Sequence, residues 1–411
     1  MTQPPKEISL DMYITANSPG EISGWVAPVV REIRSRMWQC RMTLVILPCQ
    51  YASGEEISLG LRTGVDRCVT LGEFRKLRGD PGEKNYIVKK KLLMHLGGDI
   101  MFSAYLSWKL GCRLWVYSSR PRWRRFVDRY FVPDETALGR FKRAGLAPER
   151  YVMIGNLALD SVTLSETEEE TRDFLGLSPD EPVMTCLTGS RPLEYTESTK
   201  LMISTARIVT DRFPEIRTLF PLAPTVREEL LQDELNKSGI KWIGESRIRE
   251  IELGNGKKAA VVRDRTLEAL NCSKLAIALP GTNNLQAAAL YIPYIMVLPL
   301  HRADEYPLDG LPGILPLWIP GMKYLKKTYI IKLNERTSFL SLPNKIAGRM
   351  IAPEIRGFFD ARVVARMAIG LLESPEKLKE ISRTFWENTR DRGASVRLSE
   401  YVEKFAKEGT N

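Results

Sequence analysis

Chemistry first becomes visible where an apolar run, KLAIAL at residues 274–279, hands over to PGTNNLQAAAL. The junction places Gly281, Thr282, Asn283 and Asn284 at the carboxyl end of a strand and the amino end of a helix. The first N–H groups of a helix have no internal partner and carry the positive end of its dipole, so the turn suits a phosphate. Thr and Asn can instead cap those groups themselves, and on this turn alone both readings stay open. It is neither a Walker loop nor a G-x-G-x-x-G dinucleotide turn. A second turn, PVMTCLTGSRPLEY, presents Gly189, Ser190 and Arg191 in the same strand-to-helix setting. Glycine lets backbone approach a ligand and arginine offers a forked cation, although an ordinary connecting turn would look similar. Two such turns on neighbouring strands favour a nucleotide site, because ligands of open α/β sheets lie at strand carboxyl ends.

The amino-terminal half has its own glycine turn, ITANSPGEISGWVAP, with Ser18, Gly20 and Glu21 between strand and helix. Glu21 can cap the helix, the reading its position favours, or bind a sugar hydroxyl. In LLMHLGGDIMFSAYL, Asp99 either acts as a general base towards an attacking hydroxyl or N-caps the helix that follows. His95 reads as a packed strand residue. RPRWRRFVDRYFV mixes arginines with Trp123, Phe126, Tyr130 and Phe131, but the aromatic spacing fits a helix burying one face. With neither an RNP signature nor a helix-turn-helix, no nucleic-acid partner is expected. No D-x-D occurs, so a transferase of this sequence would work without a metal, on helix ends and arginines.

These residues need a scaffold of more than one core, and 411 residues predict two domains. Runs such as LDMYITA, MTLVILP, RLWVYSS and YVMIG alternate with helical stretches, and after an acidic link near 159–182 a second series begins with PVMTCLT. The pattern predicts α/β domains with parallel sheets. The expected boundaries are 1–165, 180–375, and a helical 376–411 that could cross back to the first domain. The net charge of +10, from 60 Lys and Arg against 50 Asp and Glu, points to an anionic partner. Six scattered cysteines and two histidines make no zinc set and fit a cytoplasmic, reducing setting. The start lacks signal-peptide character, and no apolar run is long enough to span a bilayer. Residues 305–327, rich in proline, Leu, Ile, Trp318 and lysine, read as an irregular loop that either packs on its own domain or enters an interface.

TGSRPLEYTE followed by FPLAPT, then PGTNNLQAAALYIP, and above all LSLPNKIAGRMIAPEI resemble the lipid-A-disaccharide synthase family of inverting glycosyltransferases. GEISGW resembles that family's amino-terminal G-E-A-S-G-D turn. The resemblance implies a GT-B fold, two Rossmann-like domains facing a central cleft, with the donor held by the second. It places Gly189, Ser190, Arg191, Gly281, Thr282, Asn283, Asn284, Leu285, Gln286 and Asn344 around UDP. It brings Asp99 near the presumed general base, and sets Ser18, Gly20 and Glu21 on the acceptor side. The implied reaction is metal-independent inverting transfer of an acylated glucosamine-type sugar from UDP to a lipid-linked or phosphorylated acceptor. No cofactor beyond the UDP-sugar substrate is called for. The protein would sit peripherally at the inner face of the cytoplasmic membrane, on anionic lipid, and a homodimer stays open. The departures are Trp25 for an acidic residue, Gln286 for a ribose-binding Glu, a shortened GGD segment and a longer 305–327 loop. Two rivals share the scaffold: a non-hydrolysing UDP-sugar epimerase, and a non-catalytic nucleotide-binding or membrane-docking protein.

Overall fold

The computed structural model describes residues 6–37, 39–48, 54, 56–77, 86–189, 192–222, 233, 235–236, 242–243, 248–254, 256–305 and 321–408. The chain divides into two compact units, Met1–Ser161 with Asp391–Asn411, and Val162–Arg390.

In the first unit, β1 (Leu10–Ala16), β2 (Cys40–Ile46), β3 (Arg67–Thr70), β4 (Lys91–His95), β5 (Arg113–Tyr117), β6 (Arg129–Val132) and β7 (Tyr151–Met153) form one parallel sheet. Their order is β3-β2-β1-β4-β5-β6-β7. LDMYITA is almost wholly apolar because both faces of β1 are covered. Leu10, Met12 and Ile14 pack with Val29, Val30 and Ile33 of α1 (Ala27–Arg36), and Tyr13 packs on the other side with Ile100 and Ala104 of α2 (Ile100–Leu110). Each such aliphatic side chain contributes about 1.5–3 kcal/mol on full burial. The order reverses between β1 and β4, so the turns Asn17–Glu21 and Leu96–Asp99 leave adjacent strands at the switch point. One expectation is corrected: Tyr130 and Phe131 lie in strand β6, not in a one-faced helix, and Phe126 is exposed. Consecutive apolar residues are what a strand buried on both faces needs.

In the second unit, β8 (Val183–Leu187), β9 (Arg217–Leu222), β10 (Trp242–Ile243), β11 (Arg249–Glu252), β12 (Lys258–Arg263), β13 (Leu275–Ala278), β14 (Tyr294–Pro299) and β15 (Glu354–Gly357) are ordered β10-β11-β12-β9-β8-β13-β14-β15. β10 and β11 join antiparallel, and the remaining neighbours are parallel. Here the reversal falls between β8 and β13, and it carries Thr188–Gly189 and Pro280–Asn284. α3 (Thr282–Ala289) follows β13. α4 (Met322–Arg336) begins inside the stretch expected to be irregular, because Pro320 is its last proline and Gly321, at φ 83°, turns the chain into the helix. Residues 306–320 of that stretch lie outside the described residues. α5 (Leu342–Ala347) precedes β15, the helix Pro375–Thr389 stays with this unit, and α6 (Ala394–Lys407) packs Ala394, Leu398 and Val402 into the first unit's core. Among the described residues no helix is long and apolar enough to cross a membrane.

Candidate nucleotide and acid sites

The first unit's switch point is filled by the protein itself. Ser18 caps the short turn before α1 by accepting the Glu21 N–H at 3.4 Å. Glu21 then reaches back, accepting the N–H of Asn17 at 2.9 Å and of Gly98 at 3.3 Å. Its carboxylate occupies the ground between β1 and β4 that an anion would take in a dinucleotide-binding sheet. Gly97 makes room for it: a Cβ there would lie 2.0 Å from Glu21 Oε2. Gly98, at φ 84°, bends the chain into Asp99 in a conformation that favours glycine. Between Glu21 and α1 the residues Ile22–Val26 form a π-helical turn, and Trp25 within it meets Tyr117 edge-on at 5.6 Å.

Asp99 is exposed and N-caps α2, accepting the Met101 N–H at Oδ1 over 2.9 Å. The hydrogen bond is the capping one of the two sequence readings, and it engages one carboxylate oxygen. One turn further along α2, Ser103 lies 2.8 Å from His95 Nδ1 and 2.8 Å from Thr15 Oγ1, and Thr15 closes the triangle to His95 at 3.2 Å. This buried knot ties the helix that bears Asp99 to β1 and β4. Burial pushes the His95 imidazole down to about 4, against a smaller opposing pull from the Asp99 charge, so it is neutral at physiological pH.

At the second unit's switch point no side chain among the described residues caps the helix, and Gly281, Thr282 and Asn283 stand exposed or half-exposed at the amino end of α3. Asn284 is fully buried; its Nδ2 donates to the Leu279 carbonyl at 3.0 Å, and its Oδ1 has no partner. Across the β8–β13 pair, where Leu187 registers with Ala278, the Thr188 hydroxyl is also buried without a partner. The Thr188 carbonyl accepts the Ser198 hydroxyl at 2.5 Å, and Gly189 follows at φ 95°. Four buried side-chain polar atoms lack partners among the described residues, and two of them follow these adjacent strands, although buried polar groups are ordinarily paired. Leu285 is core, and the half-buried Gln286 makes no side-chain hydrogen bond among the described residues. Ser190 and Arg191 lie outside the described residues.

Asn344 has a different role from the one expected. Its Oδ1 accepts the N–H groups of Ile351 and Ala352 at 2.8 and 3.0 Å, and its Nδ2 donates to the Ala352 carbonyl and Glu354 Oε1 at 2.8 and 2.9 Å. Fully buried, it has no hydrogen-bonding capacity left for a ligand. Glu354 also gathers the N–H groups of Leu340 and Ser341, and Ser341 hydrogen-bonds Tyr294. The LSLPNKIAGRMIAPEI stretch is therefore wiring that holds α5 on β14 and β15. Thr188 and the Thr15–His95–Ser103 knot were not singled out from sequence, because an isolated hydroxyl in an apolar run gives no signal of its own. Among the described residues no three His, Cys, Asp or Glu side chains group as a metal site.

Two doubly wound α/β units whose switch points carry these turns define a GT-B fold. Solved structures agree on that fold: the UDP complex of S. aureus MnaA matches with a TM-score of 0.58 and 12% identity over 96% of each chain. UDP-GlcNAc 2-epimerase from Neisseria meningitidis, bound to UDP-GlcNAc, matches with a TM-score of 0.57 and 12% identity over 96% of this chain and 100% of the other. The family model for Lipid-A-disaccharide synthetase matches residues 130–302. Lipid-A-disaccharide synthase from Syntrophus aciditrophicus is 25% identical over 62% of this chain and 56% of its own length, and that from Myxococcus xanthus 26% over 56% and 49%. Over this region the chain is similar to the lipid-A-disaccharide synthase family, and the match spans about half the length of these relatives.

Proposed function

We propose that the protein is a metal-independent inverting glycosyltransferase that moves a glucosamine-type sugar from UDP to a lipid-linked or phosphorylated acceptor at the face of an anionic membrane. The observation that carries the reading is the contrast between switch points: the second offers an uncapped helix end and two unpaired buried polar atoms where a nucleotide fits, and the first offers a carboxylate, Asp99. In this reading the N–H groups at Gly281–Asn283, with Arg191, steady the charge that grows on the departing UDP diphosphate. Asp99 takes the proton from the acceptor hydroxyl through the oxygen that the cap leaves free, and Thr15, His95 and Ser103 hold its helix in place. The net charge of +10 suits adsorption to anionic lipid. The similarity to lipid-A-disaccharide synthases supports the sugar and the nucleotide.

The test is to incubate the protein with UDP-sugars and follow free UDP, with and without bacterial lipid extract. Release that requires lipid is the expected result. Formation of an epimer without lipid would overturn the reading in favour of epimerisation, and neither product would leave a nucleotide-binding or docking role.

A further inference from the structure

We infer that the arginine-rich connection between β5 and β6, residues 118–128, together with the helix end it packs on, is a docking surface for an anionic lipid bilayer. The inference rests on the membrane setting proposed above and gives it a contact surface. Residues 118–150 hold nine Lys and Arg against four Asp and Glu, half of the chain's net charge of +10. Two of those acids are engaged by backbone: Asp128 accepts the Leu114 N–H and Asp134 the Ala137 N–H, both at 2.7 Å. Arg120, Arg122 and Arg125 are exposed, and their side chains make no hydrogen bond or ion pair among the described residues. Among them the turn Trp123–Phe126 presents two large rings to solvent, Trp123 41% and Phe126 53% exposed, with centroids 5.9 Å apart. The turn is built rather than loose. Trp123 adopts φ 56°, a conformation that a bulky side chain rarely takes. The turn is held by Arg150, which donates to the Arg124 and Val127 carbonyls at 2.6 and 2.5 Å, and by the Tyr130 hydroxyl on the Arg122 carbonyl. Arg124 in turn donates to the Ala144 carbonyl at 2.8 Å, which joins the turn to the carboxyl end of the helix Glu135–Arg143, where Lys142 and Arg143 add to the charge. Arginines around a tryptophan and a phenylalanine match a lipid headgroup layer: the cations meet anionic headgroups and the rings enter the interface. A nucleic acid fits less well, because bases stack on open ring faces and these two rings are tilted 54° against each other.

The test is co-sedimentation of the full chain with phosphatidylcholine–phosphatidylglycerol vesicles and with pure phosphatidylcholine vesicles. Wild type should partition onto the anionic vesicles about tenfold or more above the neutral ones. Arg120→Gln, Arg122→Gln and Arg125→Gln combined should weaken that partition about 100-fold. Trp123→Gly, which removes the ring and suits the positive φ, should weaken it about tenfold. As a charge-matched control, Lys377→Gln, Lys379→Gln and Arg383→Gln combined remove the same charge from exposed positions of the helix Pro375–Thr389. Charges away from the contact are screened, so the control should change the partition by no more than about threefold. An equal loss in both triple variants would assign binding to net charge and overturn the surface. Tighter binding of a single-stranded oligonucleotide than of anionic vesicles, abolished with the same three arginines, would overturn it in favour of nucleic acid. Wild type that binds neither vesicle would overturn the membrane setting itself.

Discussion

The two units repeat one architecture and finish it in opposite ways. At the first switch point the chain supplies its own anion, with Glu21 held by the Asn17 and Gly98 N–H groups and room cleared by Gly97. At the second the described residues supply none, and α3 begins uncapped on the sheet edge that also holds two buried polar atoms without partners among the described residues. A helix end and a glycine turn therefore do not make a phosphate site by themselves; what matters is whether the chain has already spent their hydrogen bonds. The proposed function follows from this contrast, with the nucleotide assigned to the second unit and the first unit's turn taken by its own carboxylate.

The contrast can be broken at several points. The largest effect is expected for Asp99→Asn, which should lower turnover about 100-fold to 10,000-fold with UDP affinity unchanged. Activity near wild type in steady-state assays would move the base to another residue. Asn344→Ala should cost about 2–4 kcal/mol in denaturant unfolding, because it strands several buried groups, while the protein that remains folded keeps its affinity for UDP. A selective loss of UDP binding without loss of stability would return Asn344 to the ligand. His95 binds its proton in the unfolded chain near the ordinary value of 6.5 but in the folded chain only near 4. Stability should therefore fall as pH drops between those values, by on the order of 3 kcal/mol, and stay flat above them. Unfolding midpoints for wild type and His95→Gln across that range would show whether the imidazole carries the slope. The smallest effect is expected for Glu21→Ala: it should open the first switch point to inorganic phosphate at millimolar concentration, read as amide shifts at Asn17 and Gly98 that wild type lacks.

Much of this was legible in the sequence where the physics is local. LDMYITA and KLAIAL announce strands buried on both faces, and the glycine turns after them mark the strand ends that carry Glu21 and Asn284. What sequence left open was where each hydrogen bond goes. Glu21 read as a cap in preference to a sugar ligand, and only the fold shows Gly98, 77 residues away, as its second donor. Asn344 belongs to the most specific motif in the chain and serves packing, because its partners at 351–354 become neighbours only once β15 is paired. The run around Phe126–Phe131 misled because an apolar triplet fits a helix face or a doubly buried strand, and the neighbouring strands decide.

The most direct test of the account is amide hydrogen exchange with and without saturating UDP. The account predicts slowed exchange at Gly281–Ala289 and around Leu187–Gly189, with Asn17–Glu21 and Gly97–Met101 unchanged. Protection at the first unit's turns, with the second unit's turns unaltered, would contradict it.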